Sequence, residues 1–212
     1  MCERIETIEP YIQPPWWKPI AKIKIESTKD NAKDQHYEIQ MCSDATTATI
    51  YTDGSGIECN IGTAAYNSIT NKVSHQYLGS ETQFNVYTVE LIALHLAVKQ
   101  LENHNRCLIG CIYTDSQAAV KAIDRPQRQS GQTIIKAVLK SINDIVNKYP
   151  HLQIEIIWIP RHAEIDGNEH ADAEAKKAAT AITLSQRHSY KPLKSAHARN
   201  IKALAKKQWH TV

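Results

Sequence analysis

Asp53 and Asp115 end two apolar runs that finish in the same tripeptide, "IYTDGSG" at 50–56 and "IYTDSQAA" at 112–119. If these runs are neighbouring parallel strands, their tips bring two carboxylates together, and open α/β sheets gather their ligand sites at the carboxyl ends of such strands. Two ionised acids at close range raise each other's pKa unless a cation lies between them. An all-oxygen donor set favours Mg²⁺ or Mn²⁺ as that cation. Taken singly, either acid reads equally well as a solvated residue at a strand end. Glu90 resists that explanation, because it sits in the apolar helical run "YTVELIAL". Farther on, "WIPRHAEIDGNEHADAEAK" puts His162 in a loop and Asp172 early in a helix. Imidazole is the side chain that exchanges a proton near neutrality. Asp-Glu-Asp-Asp in this order, each in its own local setting, is a more specific signal than any one of the motifs.

The elements that must carry these residues follow from periodicity. "TATIYTD" predicts a strand that turns out at "GSG", and "IGTAAYNS" and "NKVSHQYLGS" predict two more, with "ITN" as the hairpin connection. Residues 86–104 carry apolar positions at helical spacing. "CLIGCIYTD" is apolar nearly throughout, as in a strand buried on both faces. "SQAAVKAI" starts on a Ser suited to N-capping, and "GQTIIKAVLKSINDIVNKY" is amphipathic and stopped by Pro150. "LQIEIIWIP" predicts a strand, and "DGNEHADAEAKKAATA" a helix. The order β-β-β-α-β-α-α-β-α predicts an α/β fold: a mixed five-stranded sheet, three antiparallel strands then two parallel, flanked by helices.

Three segments follow: an N-terminal linker or docking segment over 1–44, a catalytic domain over 45–183 and a basic C-terminal extension over 184–212. In the first, "PYIQPPWWKPI" crowds four prolines around Trp16 and Trp17, favouring an extended path. Two adjacent tryptophans call for cover, either on the main domain's edge or on a preceding domain. The last segment reads as a basic helix cut short at the end of the chain.

Charge is unevenly shared. Residues 184–212 carry seven basic side chains and no acid, whereas residues 45–183 and 1–44 each sum to −2, within a net charge of +3. A nucleic-acid binder is usually basic, so an acidic middle needs an explanation. No apolar run approaches a membrane span, and "MCERIETIEP" has no apolar signal core. Five cysteines without CxxC spacing indicate reduced thiols of an intracellular, unsecreted protein of nucleus or cytoplasm.

Residues 46–180 resemble the ribonuclease H family through "YTDGSG", "VELIAL", "YTDSQAA" and "HAEIDGNEHAD". "PPWWKP" and "GNEHADAEAK" are similar to the ribonuclease H domains of non-LTR retrotransposon polyproteins. The resemblance implies an RNase H-like fold and an endonuclease that cuts the RNA strand of RNA–DNA hybrids, leaving 5′-phosphate and 3′-hydroxyl ends. A reverse transcriptase domain of the same polyprotein is the implied partner. Asp53, Glu90, Asp115 and Asp172 are then the metal-binding acids, with two Mg²⁺ (Mn²⁺ substituting) roughly 4 Å apart across the scissile phosphate. Asp53 is placed to bridge both ions, Asp172 to hold the one that activates water, and Glu90 and Asp115 the one opposite the leaving oxygen. His162 becomes the loop histidine that shuttles a proton or escorts product. Two divalent ions also move the acidic middle from −2 to about +2 and make it hospitable to phosphate.

Reading the 2′-hydroxyl across the wide minor groove selects RNA, and Gly54, Ser55, Asn85 and Gln117 are the candidates for it. Two departures stand out. The basic protrusion that some members carry between the second and third helices is replaced by "DRPQRQSG", and Glu164 stands where the loop after the histidine often has Gly. Two competing functions remain: a catalytically weak or inactive hybrid-binding or structural domain, and a DNA-directed nuclease or strand-transfer enzyme on the same fold.

Overall fold

A computed structural model describes residues 5–8, 14, 16–103, 106–127, 129–181 and 190–209. The strands are β1 (Lys22–Lys24), β2 (Thr47–Ile57), β3 (Asn60–Asn67), β4 (Lys72–Ser80), β5 (Ile109–Thr114) and β6 (Gln153–Trp158). The helices are α1 (Lys29–Cys42), α2 (Val86–Leu101), α3 (Gln117–Asp124), α4 (Gln132–Lys148), α5 (Asp166–Thr180) and α6 (Lys194–Trp209). The sheet order is β1-β6-β5-β2-β3-β4. β2, β3 and β4 pair antiparallel, and β2, β5, β6 and β1 pair parallel.

The mixed α/β sheet is as expected except in strand number, which is six. The additional strand, β1, comes from the segment expected to be an extended linker. Ile23 pairs with Ile156, and Lys24 Nζ lies 2.7 Å from Glu155 Oε2, so a three-residue strand covers the outer edge of β6. α1 follows in the same segment, capped by Thr28 Oγ1, which accepts from Asn31 N. Trp16 is 82% exposed, so the expected cover for it is absent among the described residues.

A second difference lies at "GSG". β2 continues through these residues to Ile57, and the chain turns instead at Glu58 and Cys59, both left-handed (φ 48° and 64°). Two such residues between Ile57 and its partner Asn60 make the tight hairpin that matches strand twist. Gly54 serves another purpose: a Cβ there would lie 2.6 Å from Val89 Cγ1, so its bare backbone lets α2 press onto the sheet.

Side chains alternate across the sheet. Ile50, Ile112 and Ile156 belong to the larger core with α2, α3 and α4, while Tyr51, Tyr113 and Ile157 form a smaller one with α1 and α5. α2 is buried on nearly every side, which is why its sequence is apolar almost all round.

Candidate active site

The repeated tripeptides lie side by side. In the parallel β2–β5 pair Tyr51 is opposite Tyr113 and Thr52 opposite Thr114, so Asp53, within β2, and Asp115, just past the end of β5, follow at the same level. The two tyrosine rings stack with centroids 5.0 Å apart, and Thr52 Oγ1 donates to the Tyr113 carbonyl at 3.0 Å. Trp158 Nε1 donates to the Asp115 carbonyl at 3.1 Å, fixing the backbone where β5 ends. Each repeat thus locks the other's register.

α2 delivers Glu90 to the same point. One carboxylate oxygen from each of Asp53, Glu90 and Asp115 lies within 4.8 Å of the other two. Asp53 and Glu90 are almost wholly buried, and Asp53 Oδ1 and Glu90 Oε2 find no hydrogen-bond partner. Buried acceptors left this way are costly. α5 carries Asp172, whose carboxylate acts on that of Asp53 but lies outside the trio that converges within 4.8 Å.

Burial, then the charge of Asp115 and the contact with Asp172, push the Asp53 carboxyl up to about 8, against a smaller opposing effect of the Gly54 main chain. Burial raises Glu90 well above the ordinary carboxylate value, with Asp53 and Asp115 adding to it. Asp115 is also raised by burial, which outweighs the pull of Arg161 and His162. For Asp172 burial acts upward, but hydrogen bonds with Lys176 and Asp53 hold it below the ordinary value. Burial and mutual repulsion thus disfavour full ionisation of Asp53, Glu90 and Asp115.

The donors fit a hard divalent cation. They are all carboxylate oxygens, they converge, and two of the buried oxygens lack any partner. Two basic side chains that sequence reasoning missed partly offset the charge. Arg161 Nε lies 3.3 Å from Asp115 Oδ2, and Lys176 Nζ lies 2.5 Å from Asp172 Oδ2. The second pair was legible as an i,i+4 contact on a helix; the first had no local signal.

His162 stands exposed in the loop after β6 with φ 56°, close enough to lower the pKa of Asp115 by its charge. Gly54 and Ser55 line a small groove with Val89 and Arg199, and none of the four acids is part of its lining. Asn85 lines it too, but its oxygen caps α2, accepting from Thr88 N at 3.0 Å and Thr88 Oγ1 at 2.8 Å, while its amide donates to Ser195 Oγ. Gln117 is half-buried in the first turn of α3 and accepts from Lys121 Nζ at 3.3 Å. Glu164 lines a different cavity, with His36, Tyr51, Tyr66 and His170.

Residues 45–180 match the family model described as RNase H. Among solved structures, RNase H1 from the halophilic archaeon Halobacterium salinarum NRC-1 is similar at 17% sequence identity, over 62% of this chain and 96% of that one, with a TM-score of 0.44.

Proposed function

The chain belongs to the RNase H family, and from that premise we propose that it is an endonuclease hydrolysing the RNA strand of RNA–DNA hybrids with two Mg²⁺ ions. The observation that carries this is the convergence of Asp53, Glu90 and Asp115 within 4.8 Å. Asp53, Glu90, Asp115 and Asp172 would hold the ions. When bound, such ions make water a stronger acid at neutral pH and neutralise charge gathering on a phosphate.

The chain's own groups supply the rest. Gly54 and Ser55, the residues that follow Asp53, present main chain and hydroxyl to a groove where a 2′-hydroxyl can be tested. Gln117, half-buried two residues beyond Asp115, is the side-chain candidate for the same task. Asn85 acts mainly through its cap, holding the start of α2 so that Glu90 stays at the cleft. His162, on its exposed loop, takes up or delivers the proton as the phosphodiester opens. Attack by water leaves a 5′-phosphate and a 3′-hydroxyl.

The likeness of "PPWWKP" and "GNEHADAEAK" to non-LTR retrotransposon sequences supports a place in such a polyprotein, with a reverse transcriptase domain as neighbour. Free Cys42, Cys59, Cys107 and Cys111 favour an intracellular setting. Among the described residues no helix is long and apolar enough to cross a membrane.

The test is a panel of labelled hybrid, double-stranded RNA, double-stranded DNA and single-stranded RNA, each with Mg²⁺ or EDTA, beside an Asp53→Asn control. Mg²⁺-dependent cutting of hybrid RNA alone, lost in the control, is the expected result. Firm hybrid binding with no product at any metal concentration would make the chain an inert binding module instead.

A further inference from the structure

The charge suited to gripping nucleic acid lies outside residues 45–183 in sequence, but Arg199 of α6 lines one groove with Gly54 and Ser55, the residues that follow Asp53. We infer that α6 is a phosphate clamp for the hybrid, set on the Gly54–Ser55 side of the cleft. This assignment rests on the hybrid-nuclease function above.

α6 is docked by specific contacts. Leu193 and Ala196 are buried, Leu193 N donates to the Gln83 carbonyl at 2.9 Å, and Asn200 Nδ2 donates to the Thr82 carbonyl at 2.6 Å. Arg199 Nη2 donates to the Glu81 carbonyl at 2.7 Å, and the same residue faces Gly54, Ser55 and Asn85 across the groove. The cap of α2 and the root of α6 are one unit, because Asn85 Nδ2 donates to Ser195 Oγ at 3.1 Å.

Glu6 fixes the helix start. Its buried carboxylate accepts from Lys194 N at 3.1 Å, Gly131 N at 2.9 Å and Ser130 Oγ, and its own N–H donates to the Pro192 carbonyl. A carboxylate at a helix N-terminus is well placed against the helix dipole. One acid from the N-terminal segment therefore ties α6 to the α3–α4 connection, across the catalytic body.

The exposed side of α6 matches a polyanion. From Lys194 to Lys206 there are four basic side chains and no acid. Among the described residues no ion pair ties a carboxylate to Lys194, Arg199, Lys202 or Lys206, whereas Asp115 and Asp172 are both paired with cations. Arg199 uses main-chain carbonyls for its donors and keeps its charge uncompensated. Exposed Ile201 and Leu204 also lie on α6 and suit a protein partner, but two apolar side chains are a smaller feature than this charge, and Arg199 shares its groove with Gly54 and Ser55 of β2.

The experiment is fluorescence anisotropy of a labelled RNA–DNA hybrid against the full chain carrying Asp53→Asn, over a KCl series, with Lys202→Gln/Lys206→Gln added. Gln keeps helix propensity. Because each neutralised phosphate contributes about 0.9 to the slope of log Kd against log salt, the slope should fall by up to roughly 2 and Kd should rise roughly tenfold at low salt. Glu6→Gln keeps every α6 cation while weakening the clasp, and it should raise Kd with little change in slope. An unchanged slope and Kd in the lysine pair overturns the clamp and leaves α6 to a protein partner. Hybrid cleavage by the parent chain is scored separately, so a silent nuclease with an intact salt effect would sink the enzyme function and keep the clamp.

Discussion

Arg161 Nε lies 3.3 Å from Asp115 Oδ2, placing a guanidinium on the chain segment that carries His162 and against one of the three converging acids. Arg161 is also among the charges acting on Glu90 and Asp172. It is a tethered counter-ion that an incoming divalent cation must displace. Arg161→Gln should therefore tighten Mn²⁺ binding to the hybrid-free chain roughly three- to fivefold, the range open to an ion pair whose arginine side is exposed. Electron paramagnetic resonance of free Mn²⁺ reads this directly, and coincident isotherms would refute it.

The buried acids set a pH dependence whose sign is fixed. Asp53 has an ordinary pKa of 3.8 and is pushed up to about 8, foremost by burial, so between these values the folded chain binds a proton that the unfolded chain has lost. The stabilisation is full below about pH 4 and fades as pH rises through about 8. Glu90 moves the same way, while Asp172, held low, contributes oppositely near its own range. In EDTA, Asp53→Asn should melt above the parent at pH 8.5 and converge with it near pH 5. Calorimetry at the two pH values checks this; a variant less stable at pH 8.5 would contradict the account.

Gly62 governs how α5 brings Asp172 to the sheet. A Cβ at this position would fall 2.2 Å from Ala179 N and 2.4 Å from Ala175 O, both backbone atoms that cannot swing aside. Gly62→Ala must lift α5, with an expected loss of about 1–3 kcal/mol typical of overpacking. Because the lift moves Asp172 while β2, β5 and α2 stay together, kcat should fall more than hybrid affinity. Urea denaturation and steady-state kinetics test the two parts.

Much of this arrangement was legible because local pattern and tertiary role agree. The matching tripeptides announced two parallel neighbouring strands, though only β5 ends there, Glu90 was conspicuous in an apolar helix, and Ser116 does cap α3, accepting from Ala119 N. What escaped was decided at long range. β1 is a Lys-Ile-Lys triplet whose strand character exists only against Glu155, Ile156 and Ile157. α1 buries only Ala32 and His36, so its amphipathic signal is faint, although Thr28 ahead of Lys29-Asp30 was a readable N-cap. "GSG" misled because glycine serves both turns and close packing, and here α2 needs the space. Arg161 meets Asp115 through two separate strand ends, which no spacing encodes.

Glu164 holds a left-handed backbone at φ 57°, two residues after His162 at 56°. For a residue with a Cβ this conformation costs roughly 1–2 kcal/mol, and glycine relieves it while giving back about 0.5–1 kcal/mol through unfolded-chain entropy. Glu164→Gly should accordingly stabilise the chain by up to about 1 kcal/mol. Its side chain lines the cavity beside His36 and Tyr51 rather than joining the acids, so metal affinity should stay where it is. A urea midpoint that moves down, or Mn²⁺ binding that shifts severalfold, would mean that the Glu164 side chain holds the His162 loop in place and that backbone strain is not the governing cost there.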